Sequence, residues 1–213
     1  MRGSIEFVSL LTEEFGEVRE ALEMGHSSRV WRLKFSSGST LYLKRFSQRR
    51  KFIQALRAYQ EWTPQLSRTP RLMRVMDEAL LLSEVPGRPL NEAAAPADYR
   101  EAGAFLRRLH NLSYQDQDVA LSVAYEQRLV AALERAEGRI EEALLVRIRQ
   151  RLLEALPLME SYRRSPCHRD FTPGNWLREC TESPLHVIDF EHAQPDLFLM
   201  DFEPLVRGYW GRR

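Results

Sequence analysis

The first third of the chain alternates apolar and polar residues with the two-residue period of β-strands. Residues 28–35 and 40–46 both alternate in this way, and the turn-forming segment 36–39 between them predicts a hairpin. Residues 72–85 are expected to form two more strands, and residues 18–24 fit a first strand, with a helical turn as the alternative. This part of the chain therefore predicts a small antiparallel sheet.

Other segments place their apolar residues at the spacing of an α-helix. Residues 48–66 and 97–112 each carry one apolar stripe of this kind. Residues 119–163 are rich in Leu, Ala, Glu and Arg, and they indicate two long helices that break near Gly138. After these helices, the apolar segment 185–190 is expected to form a short strand.

The order of these elements predicts an α+β fold with two lobes. The first lobe, residues 1–85, would hold the small antiparallel sheet, and the second, residues 86–213, would be mostly helical. The segment 85–90 contains Pro86, Gly87 and Pro89, so it is the expected hinge.

Composition and charge narrow the class of protein. Of the 213 residues, 44% are hydrophobic and 29% charged, as in ordinary globular domains. The formal net charge of +1 provides no overall attraction to nucleic acid or acidic membranes. Glu13 and Glu14 interrupt any secretory apolar segment, and the lone Cys167 and Cys180 match neither a disulfide framework nor a zinc site. We therefore expect a cytoplasmic protein that binds neither nucleic acid nor membranes.

One short segment carries a specific chemical pattern. His168, Asp170 and Asn175 stand at the fixed positions of H-R-D-x-x-x-x-N. In phosphoryl transfer a carboxylate accepts the proton of the attacking hydroxyl and an amide binds Mg²⁺, so both belong on one tight loop. Asp189 ends an apolar segment a hairpin's length further on, where a second carboxylate could reach the same metal. Each residue alone is more often a cap or turn residue, but together they indicate a phosphoryl-transfer site.

Two segments of the chain, 167–177 and 187–191, resemble the aminoglycoside phosphotransferase and choline kinase family. The resemblance extends from about Gly25 to Asp201, nearly the whole chain. Members of this family are small-molecule kinases with a protein-kinase-like fold, and the resemblance implies the same fold here.

The resemblance also implies roles for individual residues. Asp170 would be the catalytic base, and Asn175 and Asp189 would bind the metal. His168 would organise the catalytic loop, and Asp201 would anchor that loop without reacting itself.

Nucleotide contacts are implied upstream of the loop. Ser27 and Ser28 lie between two predicted strands, where the family has its nucleotide-positioning loop. The carbonyl of Ser83 and the N–H of Val85 would contact the adenine. An ordinary turn or strand end explains each of these short segments nearly as well.

Glu191 is a further candidate metal ligand. It lies two residues beyond Asp189, so on an extended segment both side chains share one face. We therefore expect Glu191 to reach a second Mg²⁺.

The chain contains only three lysines, Lys34, Lys44 and Lys51. Lys44 lies late in a predicted strand and is followed by a helix, so it is the expected cation for the nucleotide phosphates, with Lys34 as the alternative. The family's fold normally pairs this lysine with a helix glutamate. Glu61 is the only acid between Lys44 and Pro70, and helical spacing turns it away from the apolar stripe. Either the helix is irregular or the ion pair is absent, and we favour a surface Glu61.

These observations predict an ATP- and Mg²⁺-dependent kinase that phosphorylates a hydroxyl of a small molecule, such as an aminoglycoside or an amino alcohol. They leave open ATP or GTP and the identity of the acceptor. The alternative is a catalytically impaired relative that binds nucleotide as an interaction protein, since few residues follow Asp189 and the helix acid is missing. A purely structural helical protein is the third possibility, and it would not bind nucleotide.

Overall fold

The computed structural model describes residues 11–24, 29–114 and 120–210. A five-stranded antiparallel sheet in the order β1-β2-β3-β5-β4 forms its first part. The strands are β1 (Val18–Met24), β2 (Arg29–Phe35), β3 (Thr40–Arg45), β4 (Leu72–Met76) and β5 (Ala79–Ser83). The predicted hairpin and the later strand pair are both present, and residues 18–24 form a strand rather than a helical turn.

The helix predicted over residues 48–66 is present but irregular. It begins as α1 (Arg49–Arg57), widens to a π-helix over Ala58–Trp62 and ends as a 3₁₀ turn over Thr63–Gln65. Pro64 lacks the N–H that a continuing α-helix needs, which explains why regular helix stops here. Trp62 is fully buried, so the wide π turn also brings a large side chain into the core.

The second part of the chain is mostly helical, as predicted. The helices are α2 (Pro96–His110), α3 (Leu121–Ala136), α4 (Glu142–Ala155) and α5 (Glu203–Trp210). Gly138 adopts a left-handed φ of 70° between α3 and α4, where the break was predicted. None of the described helices is both long and apolar enough to cross a membrane.

Two small sheets support the loops between these helices. One joins β6 (Arg88–Pro89), β8 (Trp176–Arg178) and β9 (His186–Val187), and the other pairs β7 (Ser165–Cys167) with β10 (Gln194–Asp196).

The strand predicted over residues 185–190 is too long, because β9 covers only two residues. Asp189 has a left-handed φ of 69°, and residues Phe190–His192 form a 3₁₀ turn that its side chain caps. The extended segment expected to align Asp189 with Glu191 is therefore wrong.

One apolar core crosses the predicted boundary between the lobes. It includes Phe46 and Trp62 from the first part and Phe105, Phe171 and Phe190 from the second. The division at residue 85 stays a prediction, since the core packs both parts together. Phe171 and Phe190 belong to the loops that carry the candidate site, so the site rests directly on this core.

The predicted hinge requires its glycine. Gly87 has a φ of 115°, and a Cβ at this position would lie 2.5 Å from the carbonyl carbon of Arg178 in β8. A larger residue would be strained in conformation and would collide with backbone. Gly87 thus lets the connection from the sheet pass directly against the second part of the chain.

Candidate active site

The loop between β7 and β8 holds Asp170 and Asn175 together. The Asn175 side-chain amide donates to the Asp170 carbonyl at 2.8 Å and to its carboxylate Oδ2 at 3.0 Å. The Thr172 N–H also donates to the Asp170 carbonyl, and the Asn175 N–H donates to the Thr172 carbonyl. These short-range bonds explain why the spacing of the motif matters: the amide must turn back onto the carboxylate five residues earlier.

His168 connects this loop to the segment that carries Asp189. Its Nε2 lies 2.8 Å from the Ile188 carbonyl oxygen, and its Nδ1 lies 3.3 Å from the Asp170 N–H. A carbonyl oxygen only accepts, so Nε2 carries the hydrogen and Nδ1 accepts, as in a neutral imidazole. His168 is fully buried against Phe190. This geometry suits the predicted organising role, which stays a prediction.

Asp201 anchors the start of the loop through backbone hydrogen bonds. Its buried carboxylate accepts the His168 N–H at 3.1 Å and the Arg169 N–H at 2.5 Å. Arg169 has a left-handed φ of 65°, an uncommon conformation for a residue with a side chain, and these bonds hold it there. His110 at the end of α2 places Nε2 2.8 Å from the same carboxylate, a contact that the sequence did not indicate.

His110, Asp201 and Cys167 bring their ligand atoms within 4.8 Å of one another. Burial raises the pKa of the Cys167 thiol, and its Sγ donates to the carbonyls of Asp196 and Leu197. The Asp201 carboxylate is likewise already bound to the His168 and Arg169 N–H groups. These contacts make the cluster a support of the loop between β7 and β8.

A second buried carboxylate connects the loop to α3. Asp196 accepts from Arg169 at 2.9 Å, from Arg128 at 3.0 Å and from the Tyr125 hydroxyl at 2.8 Å. Burial, together with the nearby Asp196 charge, raises the pKa of Tyr125, which therefore stays a donor. The sequence carries no local signal for this network, because its members come from three separate segments.

Lys44 lies on β3 and is buried, with only 7% of its surface exposed. Its Nζ is 2.6 Å from Asp189 Oδ1 and 2.7 Å from Glu191 Oε2. Lys34 instead forms an exposed ion pair with Glu20 at 2.6 Å. Of the two lysines considered, Lys44 is the one beside the candidate metal ligands.

Glu191 is buried and holds two lysines. Besides Lys44, it contacts Lys51 on α1, with Lys51 Nζ 2.7 Å from Oε1. Hydrogen bonds from His192 and from the two lysines hold the pKa of Glu191 well below its usual value. Both carboxylate oxygens thus bind cationic groups of the protein, and the role of Glu191 as a second metal ligand stays a prediction.

Glu61 lies on the surface, as favoured from the sequence. It pairs with Arg57 at 3.0 Å, and 47% of its side chain is exposed. Both predicted explanations hold, since the helix is irregular and Lys44 pairs elsewhere. Lys51 was not among the predicted site residues, although the sequence holds a signal for it: Lys51 precedes the buried Ala55 by four residues, so both occupy one helix face.

The residues fit a hard divalent cation. Asn175 uses its amide nitrogen on Asp170, which leaves its oxygen as the group able to bind a metal. The Asp189 side chain is 30% exposed, and the Ile188 N–H bond to the Asn175 carbonyl joins the two segments that carry these ligands. Oxygen donors of this kind are those that Mg²⁺ prefers.

The remaining predicted nucleotide contacts lie between β1 and β2 and at the end of β5 and just after it. Ser27 and Ser28 lie outside the described residues. Ser83 ends β5, where its N–H donates to the Arg71 carbonyl at 2.9 Å, and Val85 is half-buried in the connection that follows. The adenine contacts of Ser83 and Val85 stay predictions.

Solved structures share this fold. A GDP complex of a mutant aminoglycoside 2'-phosphotransferase-IIIa has a TM-score of 0.70 at 15% identity, with 95% of this chain and 76% of that chain covered. The ADP-bound aminoglycoside phosphotransferase APH(2'')-Ib has a TM-score of 0.67 at 18% identity, with 94% of this chain and 74% of that chain covered. An ethanolamine kinase from Plasmodium vivax has a TM-score of 0.65 at 14% identity, with 93% of this chain and 64% of that chain covered. These similarities confirm the predicted kinase-like fold.

The sequence comparisons address the family itself. No curated protein matches the chain. The family model described as the phosphotransferase enzyme family matches residues 18–213, nearly the whole chain. The chain therefore belongs to this family of phosphotransferases, as the resemblance of its catalytic-loop segments predicted.

Proposed function

We propose that this protein transfers the γ-phosphoryl group of ATP, with Mg²⁺, to a hydroxyl of a small molecule. One arrangement carries the proposal: Asp170 and Asn175 share a loop that His168 ties to Asp189, and Lys44 lies against Asp189. A base, two oxygen ligands and a phosphate-binding cation are the groups that phosphoryl transfer needs.

Each group has a distinct part in the reaction. Asp170 orients the acceptor hydroxyl and accepts its proton, while the Asn175 amide holds the carboxylate in place. Lys44 steadies the α- and β-phosphates. A metal held by Asn175 and Asp189 would neutralise the charge on the transferred group.

The acceptor is proposed at the level of its class. The similar structures are of enzymes named for aminoglycosides and for ethanolamine, which share amino groups and hydroxyls. We propose an aminoglycoside or an amino alcohol as acceptor. The nucleotides in these structures are GDP and ADP, so GTP is tested beside ATP. The cytoplasm stays the predicted compartment.

The test is replacement of the base. Asp170→Asn keeps the shape of the side chain, so the variant should fold and bind nucleotide yet lose about 10²–10⁴ in turnover. Asp77→Asn, in the exposed turn between β4 and β5, is the matched control and should retain full activity. ATP and GTP consumption over a panel of aminoglycosides and amino alcohols is the measurement. Equal activity of Asp170→Asn and wild type would remove Asp170 from the mechanism.

A nucleotide-binding interaction protein is the second candidate. Its support is the absence, on the described part of α1 and the following turn, of an inward-facing acid for Lys44. Thermal shift with MgATP or MgGTP, followed by the acceptor panel, separates the two functions. Binding without turnover on any acceptor would favour this second candidate.

A further inference from the structure

Lys51 reaches from the first turn of α1 to the segment that follows Asp189. Its Nζ lies 2.7 Å from Oε1 of Glu191, while Oε2 of the same carboxylate lies 2.7 Å from Lys44 Nζ. The Glu191 side chain is only 6% exposed, and those of Lys44 and Lys51 are 9% and 23% exposed. One buried carboxylate thus bridges the strand lysine and the helix lysine.

This bridge reverses the usual charges of the helix and its partner. The helix supplies the cation through Lys51, and the 3₁₀ turn after Asp189 supplies the acid. Ala55, one helical turn beyond Lys51, is buried and offers no carboxylate, and Glu61 is on the surface with Arg57. Glu191 is therefore the carboxylate partner of Lys44 that a helix glutamate would otherwise be.

Lys44 divides its charge between two carboxylates. It lies 2.6 Å from Asp189 and 2.7 Å from Glu191. If Asp189 binds a metal, Glu191 remains as the protein partner that keeps Lys44 at the cleft. The other oxygen of Glu191, Oε1, has two contacts: Lys51 Nζ at 2.7 Å and His192 Nε2 at 3.4 Å. Lys51 makes the shorter contact, and it is the one that ties Glu191 to α1.

We propose that Lys51 is a positioning residue for the nucleotide phosphates: it fixes Glu191, which in turn holds Lys44. This inference rests on the proposed function, because Lys44 is expected to contact phosphates there. It predicts an effect confined to the charged part of the nucleotide. Adenosine or guanosine, which lacks phosphates, should bind independently of Lys51.

A control at the same interface exists one turn along the helix. Gln54 on α1 donates to Gln194 Oε1 at 2.8 Å, which docks the helix on the same part of the chain without any charge. Gln54→Leu therefore weakens the docking of α1 but leaves the bridge of lysines and Glu191 intact. It separates the loss of positioning from a general loosening of the helix.

The experiment measures binding rather than turnover. Titration calorimetry gives the Kd of MgADP or MgGDP, whichever the wild type binds, and of the matching nucleoside, for Lys51→Met, Lys51→Arg, Glu191→Gln and Gln54→Leu. Lys51→Met should weaken nucleotide binding about tenfold, the effect of losing one charge-assisted hydrogen bond, and leave nucleoside binding unchanged. Lys51→Arg and Gln54→Leu should remain within about twofold of the wild type. Should Lys51→Met fail to melt cooperatively, Glu191→Gln carries the same expectation.

The outcomes distinguish this inference from the proposed function. Wild type that binds neither nucleotide overturns both. Wild type that binds, with Lys51→Met unchanged, overturns the inference alone. Equal weakening of nucleotide and nucleoside, or an equal effect of Gln54→Leu, makes Lys51 a structural residue and also overturns it.

Discussion

The loop between β7 and β8 and the bridge of Lys44, Glu191 and Lys51 differ in how far apart their contacting residues lie in the sequence. In the loop, Asn175 binds Asp170 five residues away, and Thr172 closes the turn between them. In the bridge, Lys44 and Lys51 bind Glu191 across 147 and 140 positions of sequence, respectively. The loop is a local device, and the bridge exists only because the sheet, α1 and the turn after β9 pack together.

This difference teaches which side of the site depends on packing. The loop's own hydrogen bonds are short-range, although Asp201 and Ile188 still hold it from outside. The three side chains of the bridge come from separate segments, and its local contact is the longer one of 3.4 Å from His192 to Glu191. We expect substitutions of Lys51 and Glu191 to act mainly on nucleotide binding, those of Lys44 on binding and turnover, and those in the loop on turnover and stability.

After replacement of Asp170, the largest expected effect is that of replacing Lys44 in the bridge. Lys44→Met removes the cation beside Asp189 and should lower kcat/KM for the nucleotide by about 10²–10³, as for loss of one group that stabilises transition-state charge. Lys34→Met is the control, because Lys34 forms only an exposed pair with Glu20. Steady-state kinetics on the best acceptor is the measurement. A similar loss in both variants would contradict the assignment of Lys44.

The next effect tests the anchor of the loop. Asp201→Asn weakens charge-assisted bonds to the His168 and Arg169 N–H groups in a buried position, and it should lower the free energy of unfolding by about 2–3 kcal/mol. Urea unfolding followed by circular dichroism measures this change. Asp77→Asn on the surface should have no effect, and a stable Asp201→Asn variant would show that the loop holds its shape locally.

A smaller effect is expected at His168. The variant His168→Phe keeps a ring against Phe190 but loses the hydrogen bonds to the Ile188 carbonyl and the Asp170 N–H. The free energy of unfolding should fall by about 1–2 kcal/mol, because a buried carbonyl loses its donor. Turnover should fall more than nucleotide affinity, as measured by kinetics beside calorimetry. Unchanged turnover would place the organisation of the loop elsewhere.

The smallest effect concerns pH and the strand that leads to Asp189. Burial, with the nearby Arg68 charge, lowers the pKa of His186 in β9 from 6.5. The unfolded chain therefore takes up a proton first, so this contribution to stability is full above pH 6.5 and declines as pH falls toward the lower folded value. His186→Gln should show a flatter dependence of unfolding free energy between pH 7.5 and about 5. Parallel curves for the two proteins would contradict this.

Much of the fold could be predicted from local pattern alone. The two alternating segments became β2 and β3, and the two segments with helical stripes became α1 and α2, because alternation and helical spacing report which face is buried. Residues 119–163, predicted as helical from their composition, became α3 and α4. The prediction failed where a single residue changed the chain direction. Asp189 adopts a left-handed conformation that shortens the expected strand, and hydrophobic pattern carries no signal for such a turn.

The sequence by itself pointed to the family, through the resemblance of two segments, and it predicted Asp170, Asn175 and Lys44 as site residues. The spacing of one motif led to the first two, and the position of a lysine in a strand led to the third. Only the tertiary structure decided that Lys44 pairs with Glu191 and that Lys51 completes the bridge. The physical reason is reach: a side chain's charge acts over a few ångströms, and packing alone decides which distant residues come within that range.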